Sequence, residues 1–368
     1  MKRVLYLSRG GYVGGSQRQL SYVLSNLNHG FEPLVVCRED GSFVAELRAC
    51  GIRTSVFRFH PWRKLPAGFY RYWDAERVVR FARGRDVMLV HSSDLWLNGY
   101  LVWIARRLGV PSVLHVRTPI SIEDVHKHRC DKATSIVAIS KRVRRNLISA
   151  GISEEKITLI DDAVDLGAFT PQDEGVDVLR RDFGSKGEVL VGIVGRIHPL
   201  KRQLAFLEAA EQVVQGPASS VTFFVIGESC SCEYCEQLKR FAERSGLKGK
   251  VVFTGRREDM PEVLGSLDIL VSLSGGSVMF EAMACGKAVI SAGFSREEDS
   301  VHLQHGRTGL LVGSSQPAEL AKALTRLIDD PEFRRRIGGE ARKWAEKRLC
   351  HVAMAAKLEL LYTRLVEG

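Results

Sequence analysis

The 368-residue chain has no run of eighteen apolar residues, so no membrane-spanning helix is expected. After Lys2 and Arg3 the apolar run is only VLYL, far short of a secretory signal core, so residence in the cytoplasm is expected. Cysteine is sparse. Eight residues are scattered apart from the stretch CSCEYC, which excludes a disulfide-stapled scaffold and suits a reducing compartment. There is no internal repeat and no low-complexity tract, which excludes a solenoid. No G-x-G-x-x-G frame fits the first strand-to-helix turn, and no acid ends the second strand, so the dinucleotide fingerprint is missing.

What is present reads as an ordinary soluble globular protein, with 45% hydrophobic and 26% charged residues and length enough for two or three domains. The net charge of +10 is uneven. Residues 1–167 hold 26 Lys and Arg against 16 Asp and Glu, whereas residues 168–368 hold 27 of each. The first half should therefore meet something anionic: nucleic acid, lipid headgroups or a phosphorylated acceptor. A solvated basic face has the same composition.

Short β-rich apolar runs alternate with helical stretches. RVLYLS, EPLVVC, TSVFRF, DVMLVHSS, PSVLHV and SIVAIS form a first series, and VDLGAFTPQDEGVD reads as a linker. EVLVGIVG, VTFFVIG, KVVFTG, LDILVSLS, GKAVISAG and TGLLVG form a second series. Two βαβ series predict two doubly wound α/β domains, which hold ligands at the carboxyl ends of their strands. The last helical stretch breaks near RLCH and could cross back to the first domain.

Three places at such strand ends could hold phosphate. The first strand runs into RGGYVGGSQRQL, where Gly14 and Gly15 precede a helix that Ser16 is expected to cap. EVLVGIVG runs into RIHPLKRQL, placing Arg196 and Lys201 beyond a strand end, either as a diphosphate clamp or as two surface cations. LDILVSLS runs into SGGSVMFEAMACG, where Gly276, Ser277, Val278 and Met279 open a short helix closed by Gly286. Glu281 in that helix would repel phosphate unless it faces ribose hydroxyls. A nucleotide-sugar satisfies both demands.

VGRIHPLKRQLAFLEAA, SLDILVSLSGGSVMFEAMACGKAVI, HGRTGLLV and SIVAISKRVRRNLISAGISEEKITLIDDAVDLGAFTP together resemble the retaining family-4 glycosyltransferases of the GT-B fold, from the first strand to about residue 345. The resemblance implies two Rossmann-like domains facing across a cleft. Residues 1–170 would be the acceptor side, residues 171–348 would bind the nucleotide-sugar, and residues 349–368 would form a helix packing back on the first domain. It also implies that Arg196 and Lys201 bind the donor diphosphate, that Glu281 binds the ribose, and that Gly15 lets the first domain approach the phosphate. Arg256 and Arg257 would lie by the base, and His115 near the reacting sugar. Without the resemblance, a lone histidine after a strand is more often structural.

Three positions depart from the family pattern. Leu273 stands where a second Glu is usual, which leaves open a different donor sugar, a one-residue shift onto Ser274 or Gly275, or impaired catalysis. The usual NGVD reads DAVD at Asp162 to Asp165, and Lys287 replaces a proline. The implied activity is retaining transfer from a UDP- or GDP-linked sugar to an acceptor hydroxyl in glycan, polysaccharide or glycolipid synthesis. The alternatives are a degenerate binding protein and a GT-B epimerase or phosphorylase. No Asp-x-Asp occurs, so neither a metal nor another cofactor is expected, and nucleic acid drops out as a partner.

Two features stay outside that pattern. Cys230, Cys232 and Cys235 supply three thiolates but no fourth ligand, so they are read as reduced and unliganded rather than as a zinc site. Phe59 to Arg85 mixes aromatics with Arg and Lys. It is either a surface resting on the inner face of an anionic membrane or a helix with its aromatics packed inward.

Overall fold

The computed structural model describes residues 2–28, 30–63, 69–118, 120–172, 177–184, 189–216, 220–229, 232–274, 276–292, 302–313 and 316–368. The chain divides into two compact units. One comprises Met1–Ala163 with His351–Gly368, and the other Val164–Cys350. The break between Ala163 and Val164 falls at the start of the stretch VDLGAFTPQDEGVD, seven residues before the boundary after residue 170 that the resemblance implies.

Among the described residues the first unit holds seven strands: β1 (Lys2–Gly10), β2 (Phe31–Glu39), β3 (Arg53–Val56), β4 (Val87–Ser92), β5 (Ser112–Val116), β6 (Ser135–Ala138) and β7 (Ile157–Leu159). They form one parallel sheet in the order β3-β2-β1-β4-β5-β6-β7. The central strands are apolar on both sides because both faces are covered, whereas the edge strand β3 is exposed at Arg53 and Val56. Leu5 and Leu7 of β1 enter one apolar cluster with Val78, Tyr100 and Ile104. Val4 and Tyr6 enter another with Leu20, Phe43, Leu358 and Tyr362. The helix His351–Glu367, separated from Pro331–Arg348 by Leu349 and Cys350, thus contributes to the core of the first unit.

The second unit holds β8 (Val189–Val194), β9 (Val221–Ile226), β10 (Val251–Gly255), β11 (Ile269–Ser272), β12 (Ala288–Ala292) and β13 (Leu310–Val312). Their order, β10-β9-β8-β11-β12-β13, repeats the winding of the first sheet, again all parallel. In each sheet the winding reverses between two adjacent strands, β1 and β4 in one and β8 and β11 in the other. Side connections leave a crevice at such a reversal, beyond the carboxyl ends of the strands.

Two glycine pairs show how tightly the loops are drawn in there. A Cβ on Gly41 would lie 2.4 Å from the Gly11 carbonyl oxygen, and one on Gly227 would lie 2.1 Å from that of Gly195. Both glycines also have positive φ, at 151° and 146°. Among the described residues no helix is long and apolar enough to cross a membrane.

Candidate active site

At the end of β1 the chain turns through Gly10 and Gly11, with φ of 71° and 77°, into the helix Gly15–Ser25. The expected cap is corrected here. Gly14, extended at φ −114° and ψ −175°, holds the cap position, and Ser16 lies inside the first turn. The helix therefore begins two residues earlier than a hydroxyl cap requires. No side chain caps it and no acid occupies its first turn, so its opening amides at Gly15 and Ser16 retain their attraction for an anion.

His115 lies on β5 and is 1% exposed. Burial and the neighbouring Arg117 hold its pKa well below the ordinary histidine value, so the ring is neutral. Nη2 of Arg117 is 3.4 Å from Nδ1 of His115. A guanidinium can only donate, so Nδ1 accepts and the ring proton sits on Nε2. That Nε2 is buried with no partner among the described residues. His115 is thus an N–H donor held in one tautomer, not a general acid. Arg117 is itself fixed by Asp162 of the DAVD run, and the adjacent Ala163 is bracketed by Gln19, which accepts from its N–H at 2.9 Å and donates to its carbonyl at 2.6 Å. The buried Gln19 had no signal in the sequence beyond its place in an amphipathic helix.

In the second unit Gly195, with φ 144°, follows β8, and Arg196 comes before the 3-10 turn Pro199–Lys201, of which Lys201 is the last residue. Arg196 is exposed, and its carbonyl accepts from Nε2 of the buried Gln203 at 2.9 Å. The alkyl stem of Lys201 lies against Gly195, where a Cβ would come 3.5 Å from Lys201 Cε. Burial first, and the positive charge of Arg196 second, lower the pKa of Lys201. Two like charges are therefore held close enough to repel. No carboxylate pairs with Lys201 among the described residues, and an anion between the two cations would relieve the repulsion.

Beyond β11, Gly276 with φ 126° leads into the seven-residue helix Val278–Ala284. The amides of Met279, Phe280 and Glu281 already donate to the carbonyls of Gly276 and Ser277, which leaves those of Ser277 and Val278 without a partner among the described residues. Glu281 is 7% exposed. Gly275 lies outside the described residues, as do Cys230 and the side chain of Cys232. The departures take on definite roles. Leu273 is 2% exposed within the apolar core of the unit, so a carboxylate there would be buried, whereas Ser274 is exposed. Lys287 donates to the Gly265 carbonyl at 2.6 Å.

Arg256 and Arg257 follow β10. Arg257 bonds Asp259 at 2.8 Å and Asp182 at 2.7 Å, and its guanidinium lies over Phe183 at 5.9 Å. Those carboxylates raise its pKa and fill its fork. Arg256 is exposed, with Glu258 3.6 Å away.

Residues 13–168 match the family model described as Glycosyltransferase Family 4, and residues 188–330 match that of Glycosyl transferases group 1. The chain belongs to the family-4 glycosyltransferases. Among family members, the D-inositol 3-phosphate glycosyltransferase of Rhodococcus opacus is 30% identical over 286 residues, 70% of this chain and 63% of that protein. The Corynebacterium efficiens enzyme of the same name is 27% identical over 318 residues, covering 78% of this chain and 74% of its own. The chain spans under two thirds of the Rhodococcus relative's length.

The fold is GT-B. Anabaena Alr3699/HepE, crystallised with UDP-glucose, superposes with a TM-score of 0.87 over 99% of this chain and 100% of its own at 23% identity. A glycosyltransferase from Rickettsia africae gives a TM-score of 0.87 over 100% and 99% at 18% identity. Within the family fold, Arg196, Lys201 and the Gly276–Met279 turn lie at the ends of adjacent strands at the winding reversal of the second unit. His115 and the Gly14–Ser16 turn belong to the first.

Proposed function

We propose that this chain transfers a glycosyl group from a UDP- or GDP-linked sugar to an acceptor hydroxyl, with retention at the anomeric carbon. The observation that carries the reading is the Arg196–Lys201 pair, two mutually repelling cations at the winding reversal with no carboxylate on Lys201 among the described residues. In this reading the anomeric C–O bond breaks as the nucleoside diphosphate leaves, and the two cations and the amides of Ser277 and Val278 stabilise the charge on the departing oxygen. The acceptor oxygen then bonds to the anomeric carbon on the face the diphosphate vacates, and its proton passes to a phosphate oxygen. His115, neutral and carrying its proton on Nε2, would donate to a sugar hydroxyl. Glu281 would accept from the ribose, and exposed Arg256 would lie by the base, with Arg257 behind it.

With fixed cations facing the leaving group, the proposed reaction needs no metal. What the Anabaena protein binds, UDP and UDP-glucose, makes a UDP-sugar the first donor to try. The inward packing of Leu273 supports the reading in which the sugar-facing positions begin at Ser274, and weighs against a degenerate protein. The reading places the enzyme in glycan, polysaccharide or glycolipid synthesis, in the cytoplasm and in peripheral contact with an anionic membrane.

Nucleotide release from a panel of UDP- and GDP-sugars, with and without acceptors and after EDTA treatment, tests it. Release from at least one donor that persists in EDTA is the expected result. Binding of UDP with no release from any donor would favour a binding protein, and a strict need for added magnesium or manganese would refute the metal-free step.

A further inference from the structure

A cavity of about 450 Å³ lies within the first unit, beside the helices Tyr70–Ala82 and Asn98–Leu108. None of the donor-site residues named above lines it. The rings of Trp62, Tyr72 and Trp103 form part of its wall, and its polar lining is basic, without a carboxylate among the described residues. Arg106 and Arg129 have no ion-pair partner among the described residues. Arg63 and Arg71 donate to the backbone carbonyls of Lys127 and Trp62, and neither has a carboxylate partner among the described residues.

The wall is built rather than incidental. A Cβ on Gly99 would lie 2.4 Å from the Trp62 ring, so only glycine lets the indole rest on the helix backbone. The indole is then held edge-on to Tyr100 at 4.7 Å. Arg129 is left-handed at φ 53°, a conformation a non-glycine residue adopts at a cost, and Nδ2 of Asn98 pins it by donating to the carbonyls of His128 at 2.8 Å and Arg129 at 3.1 Å.

Two polar atoms in this wall are unsatisfied. Asn98 is 1% exposed, and its Oδ1 is buried without a partner among the described residues. Nε of Arg71 is likewise buried and unpartnered. A buried acceptor, a buried cationic donor and flat rings together ask for a ligand with a hydroxyl, an anionic oxygen and a ring face. The rings that could stack on it are aromatic and the charges are guanidinium forks, which match phosphate oxygens in pairs.

We propose that this cavity binds the phosphate of a phosphorylated acceptor, with the acceptor's sugar or polyol ring against the indoles. This rests on the glycosyl-transfer reading for the word acceptor, but the binding site stands or falls by itself.

Three of the five tryptophans, Trp62, Trp96 and Trp103, line the cavity, so intrinsic fluorescence reports its occupancy. The full chain is titrated with glucose 1-phosphate and with glucose, each with and without saturating UDP. The expected result is a response to the phosphate, not to the sugar, that UDP leaves unchanged. Arg71→Gln and Arg129→Gln should each weaken it about tenfold or more, the usual effect of losing a hydrogen bond to a charged group. Calorimetric UDP affinity should stay constant. The Arg129 side chain is exposed, with no ion-pair partner among the described residues, so its substitution keeps the test clear of misfolding.

A parallel arm uses phosphatidylcholine vesicles with and without phosphatidic acid. A response to phosphatidic acid alone, with the same Arg129 dependence, supports the site and assigns the phosphate to a lipid headgroup. No response to either phosphate source, a response abolished by UDP, or one indifferent to both substitutions would overturn the proposal. Phosphate binding in a protein that fails to bind UDP would keep the cavity and remove the glycosyl-transfer reading.

Discussion

The hydroxyl of Tyr362, on the last helix, lies 2.6 Å from Nδ1 of His91 on β4, and 3.1 Å from the hydroxyl of Tyr6 on β1. Tyr6 and Tyr362 are fully buried and His91 is 1% exposed. If Tyr6 donates to Tyr362 and Tyr362 donates to His91, only the imidazole Nε2 is left without a partner. The reverse direction would strand the Tyr6 proton as well. The chain of bonds ties the helix His351–Glu367 to the middle of the first sheet, which explains why that helix belongs to the first unit.

Tyr362→Phe should therefore leave both Tyr6 and His91 with an unpaired polar group in the core. The cost should be about 2 to 6 kcal/mol, since each of the two orphaned buried groups costs about 1 to 3. Urea unfolding followed by tryptophan fluorescence measures it, because Trp62, Trp73, Trp96 and Trp103 all belong to the first unit. A loss under 0.5 kcal/mol, by the same scale, would mean that the hydroxyls find water instead.

The same cluster sets a pH dependence. Burial, and then Arg117, push the pKa of His91 from 6.5 down to about 3, and that of His115 is also held well below 6.5. Both rings are neutral in the folded chain and take up a proton on unfolding once the pH falls below 6.5. Stability is therefore unaffected by them above that pH and declines as pH falls from 6.5 toward 3. The slope should be about 1.4 kcal/mol per pH unit for each ring. Urea unfolding between pH 6.5 and 5 measures the decline. A flat profile there would mean that the rings are protonated in the fold.

How legible these features were depended on range in the sequence. Most of the parallel strands are apolar runs, and twelve of the thirteen among the described residues stand out. The three residues of β7, Ile157–Leu159, are too short to separate from the charged residues around them. Gly14, Arg196, Lys201 and Gly276 could be placed because each follows a strand end. Side-chain direction could not. Leu273 turns into the core although it looks like a replaced ligand, and Arg257 is filled by Asp182, which lies 75 residues earlier. The cavity wall was hidden for the same reason, since Gly99 means nothing until Trp62 is laid on it.

Lys201→Ala should fold normally and lower turnover about a hundredfold, because removing one preorganised donor to a leaving group costs about 3 kcal/mol in the transition state. Arg196→Ala should behave alike, and the double variant should lose less than the product of the two effects because both act on the same charge. Steady-state kcat on whichever donor the panel identifies, beside unchanged thermal melting, is the readout. Wild-type turnover in both single variants would remove the leaving-group site.

The aromatic-basic stretch resolves into two faces. Arg71 and Tyr72 line the cavity, while Phe69, Tyr70 and Trp73 are 85%, 62% and 69% exposed around the first turn of the helix Tyr70–Ala82. That turn is anchored, because the buried Asp74 accepts from the His60 amide at 2.8 Å and from the Tyr100 hydroxyl at 3.2 Å. Large aromatics held outward on a rigid turn gain little from water and much from a bilayer interface. Arg58 and Arg77 beside them suit anionic headgroups. The proposed membrane contact therefore predicts sedimentation with phosphatidylglycerol-containing vesicles, weakening as salt rises, and little with phosphatidylcholine alone. Phe69→Ser with Trp73→Ser should reduce vesicle binding at least tenfold, since burying one such side chain is worth about 1.5 to 3 kcal/mol. UDP affinity should not change, because neither residue belongs to the second unit. Lys64 of this stretch lies outside the described residues. Equal binding to both vesicle types, or none to either, would leave the aromatics as an exposed surface turn and make a soluble acceptor the better candidate.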